Sequence, residues 1–202
     1  MKTLLMKSLF IKRLLVLLFS TLLFSILIGA TSAFSTADDS IPGPAVGAEF
    51  PHSLNAPDQT GEAQSIDTLM GDKGLVIVFL RSADWCRFCK AQLVDLNDRL
   101  AEFQALGLNI VSISVDGVDE IASFSEKRKI GFSMLADPDG DINRELGIRD
   151  SKMGSSVPRP ILYVVDQSGT IQARYMDPTY RTRPDLDVVL SDAAALDSPL
   201  NP

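Results

Sequence analysis

Residues 74–96 read GLVIVFLRSADWCRFCKAQLVDL, and the fold turns on how this stretch divides. Residues 75–80 form an apolar run rich in β-branched side chains. The run is too short for a typical helix and reads as a strand buried on both faces. Leu93, Leu96, Leu100 and Phe103 follow at spacings of three, four and three, which predicts one amphipathic helix stopped by Gly107. Cys86 and Cys89, the only cysteines of the chain, sit at the joint between strand and helix.

That joint has chemical consequences. Residues i and i+3 at a helix start share a face, so the two sulfurs can meet in a disulfide. The helix N-terminus presents free N–H groups and partial positive charge, which favour a thiolate at Cys86. Arg87 and Lys90 add positive charge and Asp84 opposes it. The expectation is an exposed, acidic Cys86 with Cys89 shielded behind it.

The order strand, Trp85-Cys86-Arg87-Phe88-Cys89-Lys90, helix resembles the thioredoxin fold. The phrasing RSADWCRFCKAQL is most similar to the redoxin branch, the alkyl hydroperoxide reductase and thiol-specific antioxidant (AhpC/TSA) proteins. The resemblance runs from about Pro44 to about Leu190. It implies an α/β thioredoxin-like domain: a central mixed β-sheet flanked by helices, opened by an N-terminal β-hairpin. Residues 49–54 and the turn signal at 57–61 are expected to supply that hairpin. The resemblance also implies a cis proline facing the cysteines. Counting back six residues from Asp166 gives Pro160, with Pro158 as the rival. Trp85, Arg87, Phe88, Arg159 and Pro160 are then the expected substrate-binding residues around a catalytic Cys86–Cys89 pair.

Two activities compete within such a family. A thiol-disulfide oxidoreductase attacks disulfides with Cys86 and resolves with Cys89. A peroxiredoxin attacks a hydroperoxide with one cysteine, aided by a Thr or Ser three residues earlier and an Arg across the site. Here Ala83 stands at the first place and Pro160 at the second, while Phe79 replaces an upstream proline. Ser82 and Arg159 are the available substitutes for the missing donors. These departures favour the oxidoreductase, acting on protein or small-molecule disulfides with an upstream thiol reductant; the alternative is a thiol peroxidase acting on hydroperoxides. Leu80 occupies the place of a buried acid in thioredoxin, and Gln92 that of a glutamate in many exported reductases.

Compartment is read from the other end of the chain. Lys2, Lys7, Lys12 and Arg13 precede a mostly apolar stretch, residues 14–30. Residues 1–33 therefore read as a signal peptide or N-terminal membrane anchor, 34–45 as a linker, and 46–198 as the redoxin domain. Export to a bacterial periplasm or the outer face of the inner membrane is expected. The segment holds four of the 19 basic residues and none of the 26 acids, so without it the net charge falls from −7 to −11. Such a surface excludes nucleic acid as a ligand.

The remaining elements follow from pattern. A helical turn is expected at 65–70, strands at 108–115, 134–136 and 161–165, and a helix at 118–129. A short helix at 142–146 is expected to be capped by Asp141. Residues 166–169 form a hairpin turn into a strand at 170–175, and 185–196 is the terminal helix. His52, the lone histidine, reads as a surface or packing residue, which excludes a Ser-His-Asp triad. No metal site or cofactor is expected. Arg181 and Arg183 are expected to pair with surface acids.

Overall fold

The computed structural model describes residues 41–197 except 53, 155 and 178. The signal or anchor at 1–33 and most of the linker lie outside the described residues. No helix among the described residues is long and apolar enough to cross a membrane.

The 75–80 run forms the middle of the domain. Strand β3 (Gly74–Phe79) is buried along its whole length. It pairs in parallel with β4 (Leu108–Ser114) and antiparallel with β6 (Ile161–Asp166). Strands β5 (Ser133–Ala136) and β7 (Ile171–Tyr175) complete a five-stranded mixed sheet in the order β5-β4-β3-β6-β7. Because side chains alternate along a strand, β3 feeds two cores. Val76 and Val78 join the side covered by Leu93, Leu96, Phe103, Ile121 and Val189. Leu75, Ile77 and Phe79 join Phe50, Ile66, Ile142 and Tyr163 on the other.

Helices α2 (Arg87–Asp98), α3 (Leu100–Ala105), α4 (Val118–Arg128) and α6 (Leu186–Ala194) supply the first of these faces; α1 (Ile66–Leu69) and α5 (Asp141–Glu145) supply the second. The single helix expected through Phe103 is divided at Arg99, whose backbone leaves helical geometry at φ −103° and ψ 5°. The Arg99 guanidinium there binds Glu102 and, from α6, Asp187.

The N-terminal hairpin is present with different arms. Strands β1 (Asn55–Pro57) and β2 (Ala63–Ser65) pair across a turn, whereas Glu49 bridges Thr170. Asp58 decides this register: its carboxylate accepts the N–H groups of Thr60 and Glu62 and closes the turn. The cap of α5 is likewise Asp137 instead of Asp141. Its carboxylate accepts three successive N–H groups, from Asp141, Ile142 and Asn143. Residues 41–47 hold to the sheet edge: Arg174 Nη1 donates to the carbonyls of Ile41, Gly43 and Pro44, and Gly47 N–H donates to Ile171 O.

Candidate active site

The carboxyl ends of β3 and β4 lie side by side in parallel, and the loop leaving β3 carries the cysteines. In an open α/β sheet this is where ligands bind. Asp116, just beyond β4, pins that loop. Its buried carboxylate accepts from Ser82 Oγ at 2.6 Å, Ser114 Oγ at 2.8 Å and the Ala83 N–H at 2.5 Å. Ser82 Oγ in turn accepts the N–H groups of Asp84 at 2.9 Å and Trp85 at 3.0 Å. The Ala83, Asp84 and Trp85 N–H groups and the Ser82 hydroxyl are thereby tied, directly or through Ser82, to one buried acid. Ser82 is therefore committed to the loop, not available as a substitute donor for peroxide.

Cys86 is the N-cap of α2, and its Sγ accepts the Cys89 N–H at 3.3 Å. Cys86 and Cys89 are joined in a disulfide with a Cα–Cα distance of 5.2 Å. Cys89 is fully buried, and Cys86 is only 4 % exposed. The expected order of access is kept, but the first sulfur is a nearly covered group and not an exposed one. The exposed members of the motif are Trp85, at 49 %, and Arg87.

A cationic and aromatic cluster surrounds the pair. Arg81, 7 % exposed, lies with its guanidinium carbon 5.2 Å from the Trp85 ring centre and 4.4 Å from that of Tyr180. Tyr180 meets Phe88 edge-on at 6.3 Å, and Arg87 covers the other partner of that pair, 4.5 Å from the Phe88 centroid. Arg183 comes from the segment before α6. Its Nε donates to Gln92 Oε1 at 2.6 Å and its Nη2 to Cys89 Sγ at 3.4 Å. Burial, then the charge of Arg81, lowers the Arg183 pKa from its ordinary value, and Asp177 opposes this. The expectation that Arg183 pairs with a surface acid is thus corrected.

Pro160 and Arg159 differ from their expected roles. No peptide bond among the described residues is cis, at Pro160 or at Pro158. The segment runs extended because its backbone is already paired: Arg159 N–H donates to Ile148 O and Val157 O accepts from Asp150 N–H, each at 2.8 Å. Phe79 pairs with Ile161, which leaves Pro160 one residue past the ladder on the side of the Cys86 loop. Among the described residues the Arg159 guanidinium makes no hydrogen bond to either cysteine.

His52 Nδ1 lies 2.6 Å from Asp67 Oδ1, away from this cluster. Among the described residues no group of acids, histidines and cysteines could hold a metal ion.

A profile of the AhpC/TSA family matches residues 46–174. Peroxiredoxin Bcp of Escherichia coli is 27% identical over 142 residues, covering 68% of this chain and 88% of that protein. The chloroplastic Peroxiredoxin Q of Sedum lineare is 28% identical over 125 residues, 62% of this chain and 66% of that protein. Among solved structures, Peroxidoxin BcpB of Mycobacterium tuberculosis superposes with a TM-score of 0.67 at 23% identity, over 76% of this chain and 98% of that one. That structure carries the same thioredoxin-like fold. The relatives overturn the reading of this chain as a thiol-disulfide oxidoreductase, since they are named peroxiredoxins. The missing Thr or Ser at Ala83 and the missing Arg at Pro160 had argued the other way, and on their own they were insufficient evidence of a different chemistry.

Proposed function

The chain belongs to the AhpC/TSA family of thioredoxin-like oxidoreductases, and we propose that it is a thiol peroxidase that reduces hydroperoxides through Cys86. The observation that carries this reading is the near closure of Cys86, 4 % exposed at the N-cap of α2. A hydroperoxide group is two oxygens long and fits a narrow approach. A protein disulfide must bring a folded chain to the attacking sulfur.

The chemistry balances with the residues present. The Cys86 thiolate attacks the terminal oxygen of ROOH; the S–O bond forms, the O–O bond breaks, and RO⁻ leaves to take a proton as ROH. Sulfur is oxidised and peroxide reduced. The N-terminus of α2 favours the thiolate at Cys86. Cys89 then attacks the Cys86 sulfenic acid, forming the disulfide and releasing hydroxide, which leaves as water after protonation. Arg183 at 3.4 Å favours the anionic form of the attacking Cys89 sulfur. A thiol reductant returns the disulfide to the dithiol.

The test is stopped-flow fluorescence of Trp85, the only tryptophan, which precedes Cys86. Reduced protein mixed with hydrogen peroxide or tert-butyl hydroperoxide should react at least about a hundredfold faster than a free cysteine thiolate, an acceleration of roughly 2.7 kcal/mol. A rate equal to that of the free thiolate with both peroxides overturns the assignment. We also propose that residues 1–33 direct export of the domain. A reporter fused after Pro202 that is active only in the cytoplasm would refute this, and the mass of the mature chain distinguishes cleavage from anchoring.

A further inference from the structure

The Arg183 guanidinium lies against Cys89 and that of Arg81 against Trp85, and among the described residues no carboxylate is hydrogen-bonded to either. Arg81 is more than nine-tenths buried, and its Nε and Nη1 have no hydrogen-bond partner. A buried charged donor left unpaired is costly, more so than an unsatisfied neutral polar group. The rings of Trp85 and Tyr180 offset part of this through their π faces, but they accept no hydrogen bond in the guanidinium plane. Arg183 gives Nε to Gln92, Nη1 to the carbonyls of Tyr180 and Thr182, and Nη2 to Cys89 Sγ; all of these acceptors are uncharged in the disulfide state. The two cations also repel, since Arg81 lowers the pKa of Arg183. Asp177 is the one acid that acts on Arg183, and it is held by Thr179.

This arrangement stands in a chain with 26 acids, which leaves no shortage of carboxylates to pair with. A buried guanidinium with unpartnered Nε and Nη1, packed on the Trp85 that precedes Cys86, points to an anion that comes and goes. The acidic surface further limits what can come: a polyanion is repelled and a compact monoanion is admitted. Arg183 also lines a cleft of about 280 Å³ with Ile41, Arg174, Tyr175, Met176, Asp177 and Pro184. Its apolar wall suits a short hydrocarbon body attached to the charged group.

We propose that Arg81 and Arg183 form a receptor for the carboxylate of a small organic substrate, seated next to Cys86–Cys89. The site rests on the peroxidase reading only for the step at which the anion enters. The carboxylate can arrive on the hydroperoxide or on the thiol that reduces the disulfide, and binding itself is independent of either.

Binding is tested first, on the full oxidised protein, with octanoate against octanamide as unreactive probes. Because Arg81 lies against Trp85, occupancy should change indole fluorescence. Octanoate is expected to bind at least tenfold more tightly than octanamide. The preference should fall to less than threefold in Arg183→Gln and in Arg81→Lys, which retains the charge but not the planar fork. Two kinetic arms then separate the sources. One compares oxidation of the dithiol by a carboxylate-bearing alkyl hydroperoxide and its methyl ester. The other compares reduction of the disulfide by a mercapto acid and its methyl ester, per thiolate. A tenfold preference for the acid in one arm identifies the step. Equal binding of octanoate and octanamide by the wild-type protein overturns the site whether or not either variant folds. Slow reaction with every hydroperoxide, with octanoate still preferred, would instead overturn the peroxidase reading and leave the receptor standing.

Discussion

Replacing Asp116 with alanine should loosen the active-site loop and weaken the whole domain. The carboxylate is buried and accepts three hydrogen bonds, from Ser82 Oγ, Ser114 Oγ and the Ala83 N–H. Two of the donors are hydroxyls that can rotate toward other acceptors. The Ala83 N–H cannot, and a buried donor left unpaired costs about 1–3 kcal/mol. Each bond lost to a charged acceptor is worth about 1.5–3 kcal/mol, and release of the buried carboxylate from its desolvation offsets part of the sum. A net loss of about 3 kcal/mol follows. With a urea m-value of about 2 kcal/mol/M, the midpoint of the oxidised protein should drop by roughly 1.5 M. Ser82→Ala removes one donor to Asp116 and the acceptor for Asp84 and Trp85, and should cost about 2 kcal/mol. Because the two residues share a bond, the double mutant should be less damaged than the sum by at least about 1 kcal/mol. The reaction of Cys86 with peroxide should slow about tenfold to a hundredfold, since the loop no longer fixes its line of approach. An Asp116→Ala protein within about 0.5 kcal/mol of wild type, or strict additivity with Ser82→Ala, would refute the idea that this acid holds the loop.

Three further outcomes follow from the same geometry. Arg183→Gln removes the positive charge 3.4 Å from Cys89, so in reduced protein Cys89 should be alkylated more slowly than in wild type at neutral pH, read by mass spectrometry of the labelled peptide. The hydrogen bond that His52 donates to the Asp67 carboxylate raises the His52 pKa above its ordinary 6.5, so this contact adds stability below that value and loses it as pH climbs through the folded pKa. Both groups are substantially solvated, so the advantage of wild type over His52→Gln should shrink by only about 0.5 kcal/mol between pH 6 and pH 8 in thermal melts. Gly74→Ala would place a methyl group 2.1 Å from the Val165 carbonyl oxygen in the centre of the sheet, which should cost about 2–3 kcal/mol in denaturant unfolding.

The division between what was readable from sequence and what was not follows the range of each interaction. The 75–80 run, the i and i+3 cysteines and the turn at Asp166 are local, and local pattern placed all three. Hairpin arms and helix caps slipped by a few residues where a single aspartate, Asp58 or Asp137, chose among adjacent N–H groups. The reaction class was misjudged for a different reason. It was argued from which donors were absent at Ala83 and Pro160, while the groups that do surround the cysteines come from elsewhere in the chain. Asp116 is 30 residues beyond Cys86 and Arg183 is 94 beyond Cys89. One of these had a usable signal. A parallel β3–β4 pair sets the carboxyl ends of both strands at one edge, so the acid ending the 108–115 run had to lie near the loop that ends the 75–80 run. Arg183 had none, because its place depends on the course of residues 176–185, which carry no periodicity. What the structure adds is therefore a charge balance: one acid is spent on holding the loop, one cation, Arg183, lies against Cys89, and a second, Arg81, lies against Trp85. A site so arranged can bind an anion or stabilise a thiolate without a donor at either of the two family positions.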